Sequence, residues 1–301
     1  MTTTDTQLET FTKLFRGRKD AYGHEEGRCV KEPLTAEIIR GHLDGVAAIG
    51  VYPMVPYQGD HYVVWGCSDI DIDDLPGAKS IRDSLAAAGV VAHIERSRSK
   101  GYHVWVFAAK PVTATAMRRM LLCAHQVAEY PAREVNPKQE HLVGSQFGNY
   151  VRLPYWDAAD ISTPHRRVLG ADDQPITLDQ FLDVATANLT APETIVRIAA
   201  MWREPERPKM APMMLNGDEP IGEALGILTP LGKVIWRDGP LQGKDRSTTL
   251  AHLAWECAKS GLNPSQSKMV LVDADRRWGK YHMRANGEQE IDKLVVKVFT
   301  T

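Results

Sequence analysis

The chain has 301 residues, 43% hydrophobic and 25% charged, with a net charge of −2, ordinary values for a folded globular protein. No window holds 18 consecutive apolar residues, so no membrane span is expected, and the polar start MTTTDTQLETFTKLF lacks the layout of a signal peptide. The four cysteines (Cys29, Cys67, Cys123, Cys257) are scattered without a CxxC pair, which excludes a disulfide framework or zinc ribbon and fits a reducing cytoplasm.

In chain order, Thr35 caps a short helix over 36–43 that ends near Gly45, and the apolar run 47–56 closes on prolines. HYVVWGCSDIDID reads as a strand running into acids. Pro76 opens a helix with Ile81 and Leu85 on one face and Gly89 at its C-terminal end. VVAHIERS and YHVWVFAA are strands joined by the turn SRSKG; Met117, Met120, Leu121, Ala124 and Val127 mark a helix over 114–129; NYVRLPYW is a further strand. Residues 178–202 read as helical. The segment 203–222, with four prolines and two glycines, breaks every period and reads as a linker. Beyond it Ser247 and Asn263-Pro264 begin helices, and Ile291, Leu294, Val295 and Val298 form the stripe of a last one. The expected organisation is a domain over 1–202, a linker over 203–222 and a small helical domain over 223–301. The fold class is α/β (α+β).

The chemistry gathers in the middle of the chain. Residues 90–155 hold nine Lys/Arg against four Asp/Glu, while 60–89 lean acidic; an acidic cluster beside a basic one suits a metal site next to a phosphate channel. In a strand, residues i and i+2 share a face, so Asp69 and Asp71 project together with Ile70 turned inward. Two carboxylates on one face repel, and a divalent cation relieves that repulsion. A shifted register would pair Asp71 with Asp73; the apolar run ending at Trp65 favours the first pair. Asp73 and Asp74 read as solvated, or as a charge bias at a helix N-terminus. Ser97, Arg98 and Lys100 form a turn before Gly101, and His103 opens the next strand on the same face as Trp105 and Phe107. Backbone N–H groups, cations and an imidazole suit a triphosphate, although a half-buried structural histidine would look alike. Glu134 sits on a strand stub before Pro137; Lys138, Asn149 and Arg152 follow, arranged for phosphates or for a surface ion-pair lattice. The spacings, 32 residues from Asp71 to His103 and 31 from His103 to Glu134, fit a strand-helix-strand crossing each time.

In this order the motifs resemble the archaeo-eukaryotic primase superfamily, especially primase-polymerases of phages, plasmids and mobile elements. Its D-x-D/E motif corresponds to Asp69-Ile70-Asp71, its G-x-H to Gly101-Tyr102-His103, and its third acid to Glu134, here inside E-V-N-P-K-Q rather than h-x-D. A wider frame is also present: Phe15, Gly17 and Arg18; His42, Leu43, Gly45, Ile49, Gly50, Val51, Tyr52 and Pro53; Pro137, Lys138 and Gln139; Gly148, Asn149, Leu153 and Pro154. The likeness spans about residues 12–156, with a softer likeness of 246–298 to the helical C-terminal domain of such primases. It implies an RRM-like palm sheet flanked by helices, and two Mg²⁺ or Mn²⁺ ions held by Asp69, Asp71 and Glu134 with His103 as catalytic neighbour. Ser97, Arg98, His103, Lys138, Asn149 and Arg152 would bind the nucleotide, and Arg16 and Arg18 would touch template or nucleotide. Arg276, Arg277 and Lys280, beside Trp278 and Tyr281, would grip template or primer. The implied partners are single-stranded DNA, nucleoside triphosphates and a separate helicase, since no Walker-type motif is present. No zinc is expected, His24 and Cys29 being the only close pair. The same donors would also serve a metal-dependent nuclease, or remain in a non-catalytic single-strand-binding module.

Overall fold

The computed structural model describes residues 3–144, 146–204, 221–240 and 245–299. The chain divides into two compact units, Met1–Pro205 and Glu206–Thr301. Most of the expected linker, residues 205–220, lies outside the described residues. Among the described residues no helix is long and apolar enough to cross a membrane.

The first unit runs α1 (Asp5–Leu14), β1 (Tyr22–His24), β2 (Cys29–Val30), α2 (Ala36–Leu43), β3 (Ile49–Val51), β4 (Val55–Tyr57), β5 (Asp60–Ile70), α3 (Leu75–Ala87), β6 (Ala92–Arg96), β7 (Tyr102–Thr113), α4 (Ala114–Val127), β8 (Glu134–Asn136), β9 (Val151–Arg152), β10 (Arg167–Val168), α5 (Leu178–Ala187) and α6 (Pro192–Ala199). The main sheet has the order β10-β6-β7-β5-β4, with β8 also paired to β5. Every neighbouring pair in it is antiparallel. Thus β7 lies between β5 and β6, which α3 joins, and β5 lies between β7 and β8, which α4 joins. Two interleaved strand-helix-strand crossings of this kind make the split β-α-β arrangement of ferredoxin-like and RRM-like sheets. The expected palm sheet is therefore present, and both crossings fall where the 32- and 31-residue gaps put them. A second sheet has the order β2-β1-β3-β9, and its Ile49, Val51 and Val151 join the core cluster that holds Trp65 and Trp105.

Alternation along β5 and β7 sorts the two faces. Ile70, Val104 and Val106 face α3 and α4, packing with Ile81, Leu85, Met117 and Leu121. Trp65, Cys67, Trp105 and Phe107 face the other way, into a core shared with α1, α2 and α5. Phe15 meets Trp105 and Phe107 edge-on, with ring centroids 5.1 Å away in each case; each such buried ring contributes about 1.5–3 kcal/mol. The amide of Arg18 donates to Tyr52 O, and a Cβ on Gly17 would stand 2.2 Å from that oxygen. The F-x-G-R and I-G-V-Y-P stretches are thus two halves of one close backbone crossing. His42 is likewise structural: its Nδ1 accepts from the Ile49 amide and its Nε2 donates to Pro154 O, fully buried.

The expected helix over 178–202 is two helices. Residues 188–191 leave the helical path, Thr190 pairs with Ala108 in the middle of β7, and Pro192 restarts a helix at its first turn. The expected strand from Asn149, ended by Pro154, shortens to β9, which pairs with β3; Leu153 adds one hydrogen bond, to Ile49 O.

The second unit holds α7 (Ile221–Ile227), α8 (Pro230–Asp238), α9 (Arg246–Lys259), α10 (Pro264–Trp278) and α11 (Gly287–Phe299) around Leu250, Leu253, Leu271, Ile291 and Val295. Asn263 and Gln266 form a capping box at α10. The cap of α9 is Asp245 and not Ser247: its carboxylate accepts from the Thr248 amide, and the helix begins two residues earlier than expected.

Candidate active site

The site forms where β5 ends. Asp69 stands opposite His103 of β7 on one side and Glu134 of β8 on the other, so an acid, an imidazole and a second acid sit abreast on three adjacent strands. Glu95 of β6 stands opposite His103 and extends the row by one strand. Asp71 follows the last residue of β5 and is exposed. A cleft of about 530 Å³, large enough for a small molecule, is lined by Asp69, Asp71, Glu95, His103 and Glu134 along the strand ends. Ser97, Arg98, Asn149, Arg152 and Arg166 also line it.

The close approach that builds this corner depends on Gly101. A Cβ there would lie 2.0 Å from the carbonyl oxygen of Ile70, so only glycine lets the 97–101 turn fold against the end of β5. The turn closes through Ser97 N–H donating to Gly101 O at 2.9 Å. It leaves Ser97 and Arg98 at the cleft mouth, whereas Lys100 is not among the lining residues.

Glu95 is almost wholly buried. One of its oxygens accepts from His103 Nδ1 at 2.8 Å and from Trp105 Nε1 at 2.7 Å. His103 Nε2 points at Asp69 Oδ1, 3.6 Å away. Burial works against a charged imidazole here, but the carboxylates of Glu95 and Asp69 outweigh it and push His103 up to about 10. At neutral pH both ring nitrogens therefore carry protons, one committed to Glu95 and one facing the cleft. The same negative field, added to burial, holds the Cys67 thiol well above its usual range; burial is the larger cause, followed by Asp69, Glu95 and Glu134.

The cleft is also lined by three cations, Arg98, Arg152 and Arg166, close enough to act on one another. Burial first, and then the charges of Arg98 and Arg152, lower the proton affinity of Arg166, as expected for like charges held together without an anion. The Arg152 Nε and the Asn136 Oδ1 are buried without a partner. Unpaired polar atoms of this kind cost about 1–3 kcal/mol each, and they are a reason to expect a polar ligand in the cleft.

Residues 25–163 match the sequence profile of the Archaeo-Eukaryotic Primase domain of TOTE conflict systems. Over this stretch the chain is similar to the archaeo-eukaryotic primases. No curated protein matches the chain. Among solved structures, the chain is similar to the primase-polymerase domain of cyanophage S-2L, with 15% identity, TM-score 0.34, and 62% of this chain and 100% of that one covered. It is also similar to the primase RepB′, with 14% identity, TM-score 0.30, and 98% and 94% covered. A third is the polymerase domain of Mycobacterium tuberculosis ligase D in complex with DNA, with 17% identity, TM-score 0.29, and 65% and 87% covered.

Asp73 and Asp74 are both occupied outside the cleft. Asp73 pairs with Arg96 and accepts from Tyr102 Oη at 2.9 Å. Asp74 caps α3 through the Gly77 amide and accepts from Tyr130 Oη. Lys138 is not among the cleft-lining residues; its ammonium lies 3.2 Å from Glu134 Oε1 and neutralises that acid. Asn149 accepts from Gln139 Nε2 at 2.9 Å. Arg16 and Arg18 lie elsewhere. Arg16 borders a separate apolar groove with Tyr57 and Tyr62, and Arg18 is paired with Asp20 beneath the Phe147 ring. Arg276, Arg277 and Lys280 belong to the second unit. There Arg277 pairs with Asp273 and covers Trp236, and Tyr281 is buried in that unit's core, with Trp278 packed against it. Tyr281 is thus used for packing, while Trp278 is half-buried.

Sequence reading did not single out Glu95, Asn136 or Arg166. Glu95 carries a signal in retrospect: an acid inside an otherwise apolar strand, VVAHIERS, needs a buried partner. Arg166 sits in the pair Arg166-Arg167 with nothing local to distinguish them. Arg167 is spent on the backbone oxygens of Trp156, Asp157 and Asp160, which leaves Arg166 for the cleft.

Proposed function

We propose that the chain is a primase-polymerase, which joins nucleotides from (d)NTPs on a single-stranded DNA template. The observation that carries this reading is one cleft lined by Asp69, Asp71 and Glu134, by His103 held on Glu95, and by Arg98, Arg152 and Arg166. It is supported by the match of residues 25–163 to the archaeo-eukaryotic primase domain.

Hard oxygen donors that repel one another suit Mg²⁺ or Mn²⁺, and Asp69, Asp71 and Glu134 would hold such ions. The present partners of these acids, Lys138 at Glu134 and His103 at Asp69, are what carboxylates collect when a site needs positive charge. When bound, the ions would neutralise the triphosphate and lower the pKa of the attacking hydroxyl. The chain's own groups do the rest. His103 donates its Nε2 proton as a hydrogen bond to a phosphate oxygen, with Glu95 fixing the ring. Arg98, Arg152 and Arg166 hold the β- and γ-phosphates. The primer 3′-oxygen bonds to the α-phosphorus, the bridging P–O bond breaks, and these arginines take up the charge that appears on pyrophosphate.

Arg166→Ala is expected to raise the KM for the nucleoside triphosphate about tenfold or more, as the loss of one charged hydrogen bond does, with a smaller change in kcat. Steady-state extension at varied triphosphate concentration measures it. The function itself is tested by incubating end-labelled single-stranded DNA, with and without an annealed primer, with the protein and Mn²⁺. Strand growth only when triphosphates are added supports the proposal. Shortening of the strand with metal alone would replace it with a nuclease.

A further inference from the structure

At the far end of β5 from Asp69, two histidines and an aspartate meet. Asp60 and His61 open β5, and His141 comes from the segment after β8, eighty residues away in sequence. One ligand atom from each of the three lies within 4.8 Å of the others. His141 Nδ1 is 3.5 Å from Asp60 Oδ1. Two donors of a tetrahedral zinc ion, each bound at about 2.0–2.2 Å, stand about 3.4 Å apart, so this edge already has the spacing of a coordinated pair. The Nδ1 of His61 is buried without any hydrogen-bond partner.

The donors stand on fixed supports. Asp60 follows the two-residue turn Gln58-Gly59, both left-handed, that closes the β4–β5 hairpin, and its Oδ1 accepts the His61 amide at 2.7 Å. His141 follows Glu140, which is gripped by both arms of Arg119 from α4 at 3.0 and 3.1 Å. Nine residue steps along β5, about 30 Å, lead from Asp60 to Asp69, so this cluster is distinct from the cleft.

We propose that Asp60, His61 and His141 form a binding site for a borderline divalent transition ion, zinc first. Two imidazoles and one carboxylate suit such an ion better than Mg²⁺, and the 62% exposure of the His141 side chain leaves the remaining position to water. The ion would tie the β4–β5 hairpin to the segment 137–149. That segment carries Gln139 and Asn149, whose mutual hydrogen bond borders the cleft, so occupancy would stiffen the rim of the active site. The inference stands apart from the proposed polymerase activity.

Zinc binding to the tag-free, chelator-stripped full chain, measured by competition with a chromogenic zinc chelator, tests it. One equivalent should bind to the wild type, and His141→Gln should weaken binding by about 100-fold, at least what the loss of an outer-layer partner costs at other zinc sites. His61→Ala should do the same, while Asp69→Asn with Asp71→Asn should leave that equivalent in place. Because His141 is exposed, His141→Gln keeps the fold, which circular dichroism checks. Absence of zinc binding by the wild type would overturn the proposal, leaving His141 and Asp60 as an ordinary ion pair. Equal binding by wild type and His141→Gln would overturn it as well.

Discussion

Replacing Glu95 with alanine is expected to cost about 3 kcal/mol or more of stability and to disable the cleft. Glu95 is 1% exposed and is the acceptor for both His103 Nδ1 and Trp105 Nε1. Removing one partner of a buried ion pair costs about 3–5 kcal/mol, because the remaining charge is left in the interior. His103 can escape part of that cost by losing its proton, which also removes the positive donor facing the cleft. Glu95→Gln should be milder: its amide oxygen can replace the one carboxylate oxygen that accepts from both donors, and the volume of the side chain is kept, although the negative charge is lost. Urea unfolding of the full chain reads the stability, and nucleotide incorporation reads the site. A Glu95→Ala protein with wild-type stability and activity would show that His103 is not anchored in this way.

Acidification is the second large effect. His42 and His93 are buried as neutral rings, and burial depresses each from 6.5 to about 4. For His42 the hydrogen bond to Pro154 O opposes the shift, and the nearby Arg166 and Arg167 reinforce it. A depressed histidine binds its proton more readily in the unfolded chain. The stability it contributes is therefore fully present above about pH 6.5 and is lost as the pH falls towards 4. A displacement of this size corresponds to about 3 kcal/mol for each ring. Denaturant midpoints recorded between pH 7 and 4 should fall accordingly. His93 packs between Phe107 and Phe181, with ring centroids 5.9 and 5.7 Å away, so His93→Phe should flatten the slope by about half. If His93→Phe follows the wild-type curve, the ring is not held neutral.

These two effects also mark what a sequence can and cannot convey. Periodicity says which residues share a face. It placed Asp69 with Asp71, and His103 with Trp105 and Phe107, and the caps at Thr35 and Asn263 follow from local chemistry alone. It does not say which strands are neighbours. Glu95 and Glu134 reach the site because β6 and β8 pair with β7 and β5 from opposite sides, a register set by the whole sheet. Arg166 arrives through β10, a two-residue strand too short to leave a periodic signal. His61 and His141 are far apart in sequence and meet only through the fold, so no close pair announces them. In the second unit the basic stretch around Trp278 resembled a stacking surface because the sequence shows an amphipathic mixture and not which side the core takes. The frame residues Phe15, Gly17 and His42 prove to be packing and backbone devices, so a family resemblance can rest on residues that never touch a substrate.

The central claim is that Asp69 and Asp71 make this cleft a nucleotidyl-transfer site. The most direct measurement is labelled dNTP and NTP incorporation on single-stranded DNA, primed and unprimed, by the full chain with Mn²⁺ and by its Asp69→Ala, Asp71→Ala double variant. The wild type should extend strands, and the variant, with its unfolding transition retained, should fall to background. Continued incorporation by the doubly substituted protein would contradict the assignment.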